Sequence, residues 1–263
     1  MSLWCCSRYF RYSVQPFTKT IQPAHTQHKL LGPLLCPTTL LFCLLTILLS
    51  ACGNTTGPGK LTLQQAPANQ LVYVALGASD TFGIGAEDPT TENWPADLAA
   101  LLGPQVRVVN LGIPNIDAAR ALHSELPVAI AAHPQLVTIW LAVNDLADQV
   151  PIASYEQSLD QIVGQLQQAD PGVRIAVANV PDLIYLPHFQ SWNQQALLAQ
   201  ISAYNAAIAA VTQRHHVLLV DLYQRWQELA THPEYISDDG FHPSTLGYAR
   251  LAQIFYSVLQ SKS

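Results

Sequence analysis

Five short apolar runs, separated by stretches of helical length, most constrain how this chain can fold. The runs cover residues 71–76, 106–111, 136–143, 174–180 and 217–222. They are rich in Val, Ile and Leu and lack clear alternation, as strands buried on both faces do. Helices are expected between them, near residues 94–102, 116–132, 154–169 and 193–215. A last helix is expected over 244–260, with Ser244 placed to cap it. Strand–helix alternation of this kind specifies an α/β fold, a parallel sheet covered by helices on both sides. In such sheets, sites form at the carboxyl ends of the strands, and the polar motifs of this chain fall there.

The N-terminal region has a different character. All five cysteines (Cys5, Cys6, Cys36, Cys43 and Cys52) lie within it. The remainder can therefore hold no internal disulfide, thiolate metal site or cysteine nucleophile. Before Cys52 the charged side chains are Arg8, Arg11, Lys19 and Lys29, and the first acidic residue is Asp80. With those four bases set aside, eight basic side chains face 18 acidic ones, a net charge of −10. A body that acidic should repel nucleic acid. The basic stretch leads into the apolar run at 40–49, which is short for a membrane span and reads as an export signal. The run ends in Leu49-Ser50-Ala51-Cys52, which resembles the bacterial lipobox, in which the cysteine is lipidated and becomes the new N-terminus. The expected organisation is a signal peptide over 1–51, a lipidated Cys52 with a flexible tether over 52–69, and one domain over 70–263. The expected location is the outer or periplasm-facing surface of a membrane, held there by acyl chains.

Four polar segments carry the chemistry. Ser79 follows the first run in Gly77-Ala78-Ser79-Asp80, at a turn that Gly77 lets close tightly. It could be a nucleophile or simply a helix cap. Gly112, in Asn110-Leu111-Gly112, follows the second run, where a backbone N–H could approach a ligand or close an ordinary turn. Asn144 follows the third run, and its amide could donate to an oxyanion or cap the connection. Its neighbours Asp145 and Asp148 are expected to be solvated rather than to hold a metal. Near the far end stands Asp239-Gly240-Phe241-His242-Pro243. A carboxylate three residues before a histidine can reach its Nδ1–H, fix the tautomer and leave Nε2 to face a serine. Asp238 competes with Asp239 for that place, and the other histidines of the body are read as surface or packing residues.

Together these segments resemble the SGNH, or GDSL-type, hydrolase family over about residues 71–260. The resemblance implies a five-stranded parallel sheet of flavodoxin-like topology in a three-layer α/β/α sandwich. It implies Ser79 as nucleophile, His242 as base and Asp239 as its orienting carboxylate. It also implies an oxyanion hole made by Ser79, Gly112 and Asn144, with no metal and no cofactor. Two positions depart from the family's pattern. Its Gly-Asp-Ser reads Gly77-Ala78-Ser79, with Asp80 following, and its Gly-x-Asn-Asp reads Ala142-Val143-Asn144-Asp145, where an added methyl could crowd the turn.

The expected activity is hydrolysis of carboxylic esters through an acyl-serine by a monomer. The substrate is a small molecule, a lipid or an acylated glycan, because loops rather than the machinery choose it. Aromatic residues in the stretch 181–192 could line an acyl pocket or pack over the core. Two other classes are open to the same fold. A surface-tethered module could bind a glycan or lipid through a degenerate site, which the departures at Ala78 and Ala142 would permit. A flavodoxin-like cofactor binder is disfavoured, because Gly83-Ile84-Gly85 runs on into Ala86-Glu87-Asp88, where acids would repel phosphate.

Overall fold

The computed structural model describes residues 70–261. The expected signal peptide, Cys52 and the tether lie outside the described residues.

In chain order the elements are β1 (Leu71–Gly77), α1 (Ser79–Phe82), α2 (Trp94–Leu102), β2 (Val106–Asn110), α3 (Ala118–Ser124), α4 (Leu126–Ala131) and β3 (Leu136–Trp140). There follow α5 (Val143–Ala147), α6 (Ile152–Ala169), β4 (Arg174–Ala178), α7 (Gln194–His215), β5 (Leu218–Val220), α8 (Leu222–Arg225) and α9 (Thr245–Gln260). The five strands form one parallel sheet in the order β2-β1-β3-β4-β5. Strand order reverses between β1 and β3, and the crevice at such a switch point is where open α/β sheets bind ligands. Gly77 pairs with Trp140 at the carboxyl end of these two strands. The segments carrying Ser79 and Asn144 therefore leave the sheet side by side.

Helices α2 and α9 pack together on one face, and α3, α4, α6 and α7 pack among themselves on the other. Between them β3 is buried along its whole length, while β2, at the edge, is only partly covered. Trp94 of α2 is fully buried and stacks on Phe255 of α9, with ring centroids 4.2 Å apart. Burying an aromatic of this kind contributes about 1.5–3 kcal/mol. The helix starts follow side-chain capping: Asn93, Asp117, Asn193 and Ser244 each accept from an N–H of the first turn.

Three sequence expectations need correction. The helix expected over 116–132 is two helices. Pro127 has no N–H to give, and its ring presses on the carbonyl four residues back, so α3 stops at Ser124 and α4 starts anew at Leu126. The third strand ends at Trp140, not 143, because Ala142 adopts φ +98° and turns the chain into α5. The fifth strand is limited to Leu218–Val220.

Candidate active site

The turn after β1 is built for one shape. A Cβ on Gly77 would lie 2.1 Å from Thr81 Oγ1 and 2.7 Å from the Trp140 carbonyl oxygen, so only glycine fits. The turn delivers Ser79 as the first residue of α1. There its N–H, like others in a first helical turn, has no intrahelical acceptor. The loop after β2 closes onto the same turn. Asn110 donates from Nδ2 to the Thr81 carbonyl (2.6 Å), and its Oδ1 accepts from Gly112 N–H (2.9 Å). A Cβ on Gly112 would lie 2.4 Å from Phe82 N and 3.0 Å from the Ala78 carbonyl. Glycine is therefore required here by close approach to the Ser79 turn.

The loop at 237–243 closes on itself through Ser237 N–H donating to the His242 carbonyl (2.9 Å), with Gly240 at φ +71°. Asp239 Oδ1 accepts from Ser237 Oγ, Phe241 N–H and His242 N–H at 2.8–2.9 Å. Its Oδ2 meets His242 Nδ1 at 2.6 Å. Partial burial pushes the Asp239 carboxyl up, but the bonds from His242, Phe241 and Ser237 outweigh that and hold it at about 2. Asp239 is thus an anion throughout the neutral range, and Asp239 rather than Asp238 meets the ring. With the Nδ1 proton facing this carboxylate, Nε2 accepts from Ser79 Oγ–H at 2.9 Å. Residues 163 positions apart in sequence thereby form one chain of hydrogen bonds, Asp239–His242–Ser79.

Across the crevice, Asn144 donates one amide hydrogen to the Ile116 carbonyl (2.8 Å), which fixes the side chain and leaves its second N–H available. Asp145, expected to be solvated, is buried and accepts from Ala118 N–H (3.1 Å to Oδ2). Burial pushes its carboxyl up to about 6. It fastens α5 to the start of α3. Ala142 stands where the backbone needs positive φ, which explains why glycine is the family's residue there. The Gly112 N–H, expected as an oxyanion donor, has its single hydrogen on Asn110 Oδ1.

Ser79, Asn144 and His242 line an open cleft of about 650 Å³. Its apolar lining includes Ile84, Pro114, Phe189 and Phe241, and its polar lining adds Arg120 and Asp148. Within the 181–192 stretch, Phe189 is buried in the core and also lines the cleft. His188 lines the cleft too, tilted against Phe241 with ring centroids 5.1 Å apart. Sequence reasoning had placed His188 among the surface and packing histidines. It also gave Asn110 no role and overlooked Glu125, which is buried and accepts from Gly77 N–H at 3.1 Å. The only hint of Asn110 was its spacing two residues before the glycine, a common local turn pattern.

A serine, an imidazole and a carboxylate thus meet in one hydrogen-bonded chain at the switch point of a doubly wound parallel sheet. The model of the GDSL-like lipase/acylhydrolase family matches residues 75–250, and the chain belongs to that family as an SGNH-type esterase. Solved structures share the fold. TesA aligns at 23% identity over 72% of this chain and 98% of its own, with TM-score 0.56. The family 3 carbohydrate esterase of Clostridium thermocellum aligns at 21% over 72% and 94%, with TM-score 0.57. The acetyl xylan esterase AlAXEase aligns at 15% over 72% and 100%, with TM-score 0.59. No curated protein sequence matches the chain.

Proposed function

We propose that this protein is a lipid-anchored surface esterase whose nucleophile is Ser79. The observation that carries the reading is the pair of contacts on one imidazole, 2.9 Å to Ser79 Oγ and 2.6 Å to Asp239 Oδ2. Ser79 Oγ attacks the ester carbonyl as His242 Nε2 takes its proton. The carbonyl oxygen, now an anion, is met by Ser79 N–H and the second Asn144 N–H. Gly112 N–H joins them by sharing its hydrogen between Asn110 and the oxyanion. His242 returns the proton to the leaving alcohol, leaving an acyl-Ser79, and a water activated by the same ring releases the acid. Asp239 stays ionised and steadies the imidazolium.

The anchor rests on the Leu49-Ser50-Ala51-Cys52 sequence after the apolar run. Surface tethering, together with a cleft lined by both apolar and polar side chains, favours esters of lipids or acylated glycans. Two structural neighbours are named as carbohydrate or acetyl xylan esterases.

The test is fluorophosphonate labelling of the wild type and Ser79→Ala, followed by a p-nitrophenyl ester series from acetyl to long acyl chains. Labelling should vanish and hydrolysis should fall by about 10⁴-fold or more in the variant. Labelling that survives in Ser79→Ala refutes the assignment. A wild type that neither labels nor hydrolyses any ester of the series would instead favour a binding role.

A further inference from the structure

Large apolar side chains exposed singly on a helix are ordinary in a folded protein. Leu101 of α2, Val128 of α4 and Leu246 of α9 are of this kind. Phe82 and Ile113, 40% and 41% exposed, instead come from two segments that touch beside the nucleophile. Phe82 ends α1, three residues after Ser79, and Ile113 follows Gly112. A Cβ on Gly112 would lie 2.4 Å from Phe82 N, and Ile113 N–H donates to the Gly77 carbonyl (3.0 Å). Their near neighbours in sequence, Ile84 and Pro114, line the cleft together with Ser79 and His242. An apolar lip thus adjoins the cleft on the side of the nucleophile's turn. It carries no charge in an otherwise strongly acidic body: no Asp, Glu, Lys or Arg stands between Asp80 and Glu87 or between Arg107 and Asp117. Apolar area left in water here gains free energy when something apolar covers it.

We propose that Phe82 and Ile113 are specificity-determining residues that hold the acyl chain of the substrate, so that the preferred ester is that of a medium- or long-chain fatty acid rather than an acetate. This rests on the reading of Ser79 as nucleophile given above. The acyl carbon is fixed at Ser79 Oγ during the reaction, so a short acyl group ends inside the cleft. A longer chain has to leave the cleft, and the side formed by Ile84 and Pro114 offers it an apolar way out onto the lip. Phe82 stands three residues beyond Ser79 in α1, a rise of about 4.5 Å, so a chain of a few methylenes reaches it. Each methylene taken out of water there adds to binding, whereas an acetyl group gains nothing. The hydroxyls of a sugar would find no hydrogen-bonding side chain on Phe82 or Ile113, which disfavours a glycan as the group seated there.

The test is the ratio of kcat/KM on p-nitrophenyl octanoate to that on p-nitrophenyl acetate in the wild type, Phe82→Gln, Phe82→Leu and Ile113→Gln, with thermal melts and sedimentation alongside. The wild type should favour the octanoate. Either glutamine variant should lower the ratio about five- to tenfold and leave the acetate rate within about twofold of the wild type, and Phe82→Leu should keep most of the ratio. The two positions lie on separate segments, so Ile113→Gln keeps the test open if Phe82→Gln misfolds. A ratio that folded glutamine variants leave unchanged overturns the proposal, as does a wild type that favours the acetate. A wild-type dimer that a glutamine variant breaks, with the ratio unchanged, would assign the lip to a second copy of the chain instead. Ser79→Ala, run in parallel, separates the two readings. Hydrolysis of either ester that persists there refutes the nucleophile and the lip with it, whereas Ser79-dependent hydrolysis with an unmoved ratio refutes only the lip.

Discussion

Replacing Glu125 by glutamine should flatten the dependence of stability on pH. Glu125 opens the connection between α3 and α4 and is almost fully buried. Its Oε2 accepts from Gly77 N–H at 3.1 Å, and its Oε1 has no partner among the described residues. Burial pushes this carboxyl up to about 8, against the pull of the Gly77 and Ile113 N–H groups. The unfolded chain releases the same proton near 4.5. The folded state therefore holds a proton that the unfolded state has lost throughout that window. The stability this gives is fully present below about 4.5 and fades as pH rises through about 8. The slope within the window is about 1.4 kcal/mol per pH unit, so this one group removes about 2.5 kcal/mol between pH 5 and 7. Asp80 and Asp145, also raised to about 6, add their own fall at lower pH, but they are common to both proteins and cancel in the comparison. Glutamine keeps the acceptor for Gly77 and cannot ionise. Urea denaturation at pH 5, 6 and 7 should give similar stabilities at pH 5 and a variant more stable by about 2.5 kcal/mol at pH 7. A difference that stays constant to within about 0.5 kcal/mol over that range would refute the reasoning.

Two further substitutions probe the backbone that aims the site. Gly112→Ala puts a methyl 2.4 Å from Phe82 N and 2.8 Å from the Thr81 carbonyl carbon. Overpacking of this kind costs about 1–3 kcal/mol, and the displaced turn carries Ser79, so ester hydrolysis should fall by about 100-fold. Near-wild-type kcat/KM and melting temperature together would show that the contact yields freely. Ala142→Gly works in the other direction, because Ala142 is held at φ +98°. Relief of about 1–3 kcal/mol of strain is set against about 0.7 kcal/mol of chain entropy and about 0.8 kcal/mol for a lost buried methyl. The variant should lie between about 0.5 kcal/mol less stable and about 1.5 kcal/mol more stable than the wild type by chemical denaturation. A loss larger than that would mean that Ala142 is not strained.

What the sequence disclosed and what it hid divide along physical lines. The sheet was legible because strands buried on both faces must be continuously apolar, and the five runs are rich in Val, Ile and Leu, unlike the Ala-rich apolar stretches of the helices. The meeting of Ser79 with the Asp239/His242 pair was legible because the chemistry proposed for them needs particular side chains at strand ends or at fixed spacing. Gly112 was legible from its place after the second strand, whereas the bond from its N–H to Asn110, two residues back, was not. The buried acids were the real gap. Asp80, Glu125 and Asp145 look like solvated loop or cap residues in a one-dimensional reading, and each proves to be nine-tenths buried or more. Glu125 and Asp145 each accept a backbone N–H, from Gly77 and Ala118, and so tie one loop to the next. A carboxylate can satisfy such donors from a distance in sequence that local propensity never registers, and its burial costs stability that a structural role alone would not call for. Three such costs within one constellation make its surroundings as much a functional element as the three residues that hydrogen-bond across it, and part of this enzyme's pH behaviour should be decided there.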